Sequence, residues 1–209
     1  MPELFQFALL SFSAVFVIVD PLGIVPLFLA LTPNDTPQSR REMARRACLV
    51  AWSVLIAFAF LGTRILSVFG ITLAAFKVAG GLLMLVTAFD QLRAQHASTR
   101  TTDAEQHEGA AKADVSVVPL AMPLLAGPGA IATVTVLMSR AHAMWQDSLV
   151  IAAITLTIAI AYVALRFSDR IARLLGTTGR LVGERLIGLV LAAIAIQFVL
   201  DGVQEALHH

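Results

Sequence analysis

The chain is short of nearly everything from which a soluble enzyme is built. Of its 209 residues only 14% are charged, two are tryptophan, one is tyrosine and one is cysteine. The single Cys48 excludes an internal disulfide and offers no metal-ligand spacing, so within its apolar run it reads as a packing residue. No glycine-rich phosphate loop is present, which leaves no ATP-driven motor, and no zinc-protease, serine-hydrolase or dithiol signature appears. The polar stretches are too short for a soluble catalytic domain, so no enzymatic activity, metal or resident cofactor is expected. A formal net charge of +1 gives no electrostatic footprint for nucleic acid.

What remains is apolar. Hydrophobic residues make up 58% of the chain and the mean hydropathy is +0.82, well above a soluble domain's composition. Six apolar runs, with their flanks, approach or exceed the roughly 20 residues that cross a bilayer as a helix. They are Leu4–Leu31, Ala47–Thr63, Phe69–Leu92, Val115–Ser139, Leu149–Leu165 and Leu186–Leu200. Only Glu3 precedes the first run as a charge, so it lacks the basic start of a secretory signal and reads as a retained helix. Residues 93–114 form a polar linker, in which His96 and His107 have no spaced partner and read as solvated loop.

Basic residues orient these runs. With six spans, twelve Lys and Arg fall on one side, in the groups Arg40–Arg46, Arg93–Lys112 and Arg166–Arg185, against Arg64, Lys77 and Arg140 on the other. The basic side is expected to be cytoplasmic and both termini to lie outside a bacterial inner membrane. Between Arg166 and Arg180, basic residues alternate with Phe167, Ile171, Leu174 and Leu175, the pattern of an amphipathic segment along the inner surface.

The first run is interrupted by Asp20-Pro21-Leu22-Gly23 and, shortly after, Pro26. A carboxylate at bilayer depth costs several kcal/mol unless it faces protein or water. Pro21 lacks an N–H and disfavours the α region for Asp20. The expectation is a helix that stops near Val19 and restarts at Pro21, with Asp20 as N-cap. The fourth run carries Pro119, Pro123 and Gly127-Pro128-Gly129, where Gly127 caps and Pro128 opens a second restarted helix. Such breaks are tolerated only where protein or a cavity receives the freed backbone groups.

A shift of 107 residues lays Asp20–Ile24 over Gly127–Ile131; shifts of 106 and 108 lay Gly70 over Gly176 and Lys77–Gly80 over Arg185–Gly188. Three spans per unit force the second unit to enter from the opposite side. The expected fold is an all-α polytopic membrane protein, a single transmembrane domain over residues 1–209. Six transmembrane helices form two inverted three-helix repeats, about 1–92 and 115–209, with helices 1 and 4 broken at mid-membrane.

Restarted helices present free N–H groups and a partial positive charge to a carboxylate, while Asp20 suits an ammonium group, a sodium ion or a proton. The candidate binding residues are Asp20, Pro21, Gly23, Gly127, Pro128, Gly129, Thr133 and Gln197, the last because its amide must find partners inside the last span. Packing remains open for Thr133, Thr135, Ser11 and Ser13, and the breaks could instead be kinks that shape the bundle. Lys77 and Arg185 read as residues that snorkel to the interface. Asp90 and Asp201 read as solvated ends or interhelical partners. Gly80-Gly81, and Gly188 with Ala192 and Ala195, read as close-packing faces.

In the segments DPLGIVPLF (20–28), FKVAGGLL (76–83), GPGAIATV (127–134) and RLIGLVLAAIAIQFVLDGV (185–203), the chain resembles the MarC family of integral membrane proteins. The resemblance runs from about Phe7 to Val203; Lys77 departs from it, standing where arginine is more usual. It implies six spans in two inverted halves. For the family's transporter members it implies uptake of small neutral amino acids such as glycine and alanine, at the DPLG and GPG breaks. The functional expectation is therefore a secondary transporter in the lipid bilayer with a small neutral amino acid as substrate and a proton or sodium ion as coupling ion. An exporter of another small metabolite or drug, and a non-transporting membrane protein, are the alternatives. A homo-oligomer is compatible with the sequence.

Overall fold

The computed structural model describes residues 2–93, 116–141 and 143–207, which are helical apart from short turns. The helices are α1 (Pro2–Val19), α2 (Ile24–Leu31), α3 (Pro37–Val68), α4 (Leu73–Leu92), a π-helical segment (Ser116–Leu125), α5 (Pro128–Ser139), α6 (Met144–Arg166) and α7 (Ser168–Leu207). Five helical segments are long and apolar enough to cross a membrane: Glu3–Leu31, Pro37–Val68, Leu73–Leu92, Met144–Arg166 and Arg185–Leu207. The shorter Pro128–Ser139 is also apolar. The chain is thus an all-helical, polytopic membrane protein. The expected linker lies outside the described residues, His96 and His107 included, except for Arg93, which caps α4.

Local chemistry sets the ends of these helices. Thr36 Oγ1 accepts from Ser39 N at 3.2 Å and Pro37 follows it, so α3 opens with a side-chain cap and a proline that has no donor to lose. Thr72 does the same for α4, accepting from Ala75 N at 3.1 Å. Between them Gly70 takes φ +66°, and Ile71 N donates to Leu66 O at 2.9 Å, the six-residue closure that ends a helix on a left-handed glycine. The fourth expected span is not one helix. Pro119 and Pro123 delete ladder donors, the turns widen, and Ala126 N donates five residues back to Ala121 O at 2.9 Å before α5 begins.

Four contacts fix which helix ends share an end of the bundle. Phe7 meets Trp145 edge-on with centroids 6.0 Å apart, so α1 and α6 start together. Lys77 pairs with Glu205 and Arg140 with Asp201, which joins the start of α4 and the end of α5 to the end of α7. At the other end Arg40 meets Asp169 at 3.1 Å, and its Nε and Nη2 donate to Thr32 O at 3.0 and 2.6 Å.

Lipid is as apolar as leucine, so close contact rather than water exclusion holds helices together in a membrane. The α4–α7 seam is built accordingly. A Cβ on Gly202 would meet Ala74 O at 2.7 Å, one on Gly81 would meet Ala195 O at 2.7 Å, and one on Gly188 would meet Ala88 O at 3.2 Å. Along α4 these contacts advance by seven residues while along α7 they retreat by seven, an antiparallel seam with a heptad step. Gly80, expected beside Gly81, faces α5 instead, where its Cβ would stand 2.5 Å from that of Ala132.

Candidate functional site at the helix breaks

Asp20 ends one helix and starts the next. Its N–H donates to Phe16 O at 3.0 Å as the last turn of α1, and its carbonyl accepts from Ile24 N at 3.3 Å. Oδ1 accepts from Gly23 N at 3.1 Å. The carboxylate holds this turn, but Asp20 is not the N-cap of a helix restarting at Pro21: regular helix resumes at Ile24, with Gly23 as its N-cap. Pro21–Gly23 form a turn because Asp20 sits at φ +50°, a left-handed backbone that an extended N-cap would not have. A Cβ on Gly23 would fall 2.0 Å from Asp20 Oδ2, so only glycine leaves the carboxylate room to fold back over the turn.

Asp20 is 3% exposed. Its second oxygen, Oδ2, accepts from Gln91 Nε2 at 2.8 Å, and this brings the last turn of α4 to the break. Gln91 was not among the residues expected from the sequence. The internal repeat held a signal for it, since a shift of 106 lays Gln91 over Gln197. Gln91 Oε1 is buried without a hydrogen-bond partner among the described residues.

The second break forms as expected, with Gly127 as N-cap and Pro128 as the first residue of α5. Gly127 has φ −72° and ψ 168°, extended backbone open to any residue, so no positive φ requires glycine there. Gly129 lies against α1 and α4: a Cβ on it would come within 2.9 Å of both Ile18 Cδ1 and Met84 Cγ. Ile18 is two residues before Asp20, so the two breaks are neighbours. Pro128 is exposed, and Thr133 is buried with Oγ1 donating to Gly129 O at 2.9 Å within its own helix.

Gln197 is not at the breaks. It is exposed on α7 and donates to Asp201 Oδ1 at 2.6 Å, beside Arg140 at the bundle end that holds the Lys77–Glu205 pair. Lys77 does not snorkel either: it is 5% exposed and bound to Glu205, because Gly202 lets α7 pack directly over it. Arg185 is exposed, so the two positions share no environment. Asp201 is an interhelical partner as anticipated, and Asp90 is buried. Thr135 Oγ1 donates across to Phe58 O at 3.3 Å, Ser13 donates to Leu10 O at 3.1 Å, and Ser11 is buried.

Comparison with known proteins shows the family. The family model described as MarC family integral membrane protein matches residues 5–207. The chain belongs to the MarC family. A UPF0056 membrane protein of Methanocaldococcus jannaschii is 38% identical over 203 residues, 97% of this chain and 98% of the relative. The UPF0056 membrane protein YvbG of Bacillus subtilis is 34% identical over 202 residues, covering 96% of each chain. The UPF0056 membrane protein YhcE of Escherichia coli is 33% identical over 203 residues, 97% of this chain and 93% of the relative. No solved structure matches. In this MarC chain the second break packs against the last turn of α1, whose next residue but one after Ile18 is the buried Asp20.

Proposed function

We propose that this MarC protein is a secondary transporter of small neutral amino acids of the glycine and alanine class, coupled to a proton or sodium ion. Its substrate region is the pair of interrupted spans. The Asp20–Gln91 pair carries the reading: a buried carboxylate stands beside a buried amide oxygen with no hydrogen-bond partner among the described residues. An ammonium group or a sodium ion satisfies both acceptors. The first N–H groups of α5, which have no intrahelical acceptor, suit the carboxylate end of the same zwitterion.

Packing between the halves supports an inverted repeat of six spans. Each span touches its counterpart: α1 meets α5, α3 meets α6, and α4 meets α7 along the antiparallel glycine seam. Such halves rock against one another around a fixed central site in alternating access. The twelve-to-three division of Lys and Arg supports a cytoplasmic Arg40–Asp169 end and external termini.

Flux of labelled glycine and alanine in proteoliposomes, under imposed proton or sodium gradients, tests this reading. Asp20→Asn retains an oxygen for Gly23 N, and once the Gln91 amide turns over, the asparagine Nδ2 donates to Gln91 Oε1, so the fold holds. Flux should fall by roughly tenfold or more, the weight of one charge-assisted hydrogen bond. Unchanged flux and ion dependence in that variant would reduce Asp20 to a capping residue.

A further inference from the structure

Away from the breaks, two cavities lie in line along the seam between α3 and α6. One, of about 160 Å³, sits at the Arg40–Asp169 end between the start of α3 and the corner joining α6 to α7. Five arginines and a single carboxylate, Asp169, line it. Arg40 is committed to Asp169 and to the Thr32 carbonyl, and Arg173 donates to the Asp169 carbonyl at 3.0 Å. Arg41, Arg166 and Arg170 have no carboxylate partner among the described residues. Arg166 and Arg170 hold their guanidinium carbons 5.9 and 5.6 Å from the centre of the Phe167 ring. The aromatic face orders two cations and neutralises neither.

The second cavity, about 420 Å³, is an open groove on the same two helices, one turn further into the bundle. Its walls are Cys48, Leu49 and Trp52 on one side and Ile158, Ala159 and Tyr162 on the other. Trp52 Nε1 donates to Thr155 Oγ1 at 3.0 Å and closes the deep end. On α3 the residues Arg41, Arg45, Cys48 and Trp52 are spaced by three or four, as are Thr155, Ile158, Tyr162 and Arg166 on α6. Pocket and groove therefore occupy one continuous face of both helices. From Arg45 to Trp52 the groove runs roughly 10 Å, the length of a stretch of acyl chain.

A cationic pocket capping an apolar groove, on a surface that spans a bilayer, has the chemistry of one class of molecule. We propose that the α3–α6 seam is a binding site for an anionic phospholipid. Its phosphate engages Arg41, Arg166 and Arg170, and an acyl chain lies along the groove toward Trp52. Guanidiniums match phosphate oxygens in a bidentate fork, which an ammonium in their place would not provide. Leu49, 58% exposed beside the groove, keeps it open to the bilayer.

Native mass spectrometry and thermal melting of the full chain in detergent, with phosphatidylglycerol or phosphatidylcholine added, test the site. Phosphatidylglycerol should be retained and should raise the melting temperature more than phosphatidylcholine does. Arg166→Gln with Arg170→Gln should weaken that retention roughly fivefold per guanidinium removed. Arg166→Lys with Arg170→Lys keeps the charges, guards against a folding artefact, and should retain an intermediate preference. Ala159→Phe fills the exposed groove and should lower retention of the lipid without touching the arginines. Inorganic phosphate and glycerol 3-phosphate form the comparison arm. Equal stabilisation by either of them would make the pocket a soluble-anion site and overturn the proposal. So would equal retention of the two lipids, which would leave the arginines a purely topological role.

Discussion

Gln91 Nε2 donates to Asp20 Oδ2 across 2.8 Å, joining residues 71 positions apart. The two oxygens of Asp20 are thereby divided between scales: Oδ1 completes a local turn through Gly23 N, and Oδ2 ties that turn to another helix. The interrupted first span is thus anchored to α4, and α4 is anchored in turn to α7 by the glycine seam.

Gln91→Leu keeps approximate bulk and removes one donor to a buried carboxylate. We expect a loss of about 1–3 kcal/mol, the range for a buried group deprived of a hydrogen bond. Unfolding in detergent measures it. A melting temperature equal to wild type would mean that Oδ2 is satisfied without Gln91.

The Lys77–Glu205 pair should respond asymmetrically. The Lys77 side chain is 7% exposed and that of Glu205 is 31% exposed. Glu205→Gln leaves a buried ammonium without its counter-charge, whereas Lys77→Met leaves a carboxylate that water reaches. The first should cost about 3 kcal/mol and the second about 1 kcal/mol or less. Equal losses in a paired unfolding experiment would show that the surroundings of both residues are wetter than their burial implies.

Two glycines, one in α4 and one in α7, should behave oppositely when replaced by alanine. At Gly81 the new methyl meets Ala195 O at 2.7 Å, a backbone atom that cannot swing aside, so α4 and α7 must separate. The expected loss is about 1–3 kcal/mol. At Gly183 nothing among the described residues lies within 4 Å, and helix propensity alone favours alanine by roughly 0.5–1 kcal/mol. Thermal melts of the two variants should move in opposite directions; a shared direction would refute the heptad seam as the source of the α4–α7 contact.

Whatever depends on neighbours along the chain was legible in the sequence. Hydropathy placed the apolar runs, Gly127-Pro128 opened a helix where its chemistry requires, and the Asp20 carboxylate accepts from the N–H three positions on. The restart at Ile24 was missed because capping rules assume an extended cap, while Asp20 also closes α1 and does so in the left-handed region. Gly81, Gly188 and Ala195 announced a close-packed face, because absence of a side chain is itself the signal. Which polar groups meet was decided by tertiary structure alone. Gln91, at the end of α4, drew no reading from the sequence yet reaches Asp20, whereas Gln197, deep in an apolar run, turns away from the breaks toward Asp201. Lys77 finds Glu205 across 128 residues. The α4–α7 register and the rotation of each helix about its axis fix those meetings. A chain of apolar residues encodes that rotation only through steric fit with helices distant in sequence.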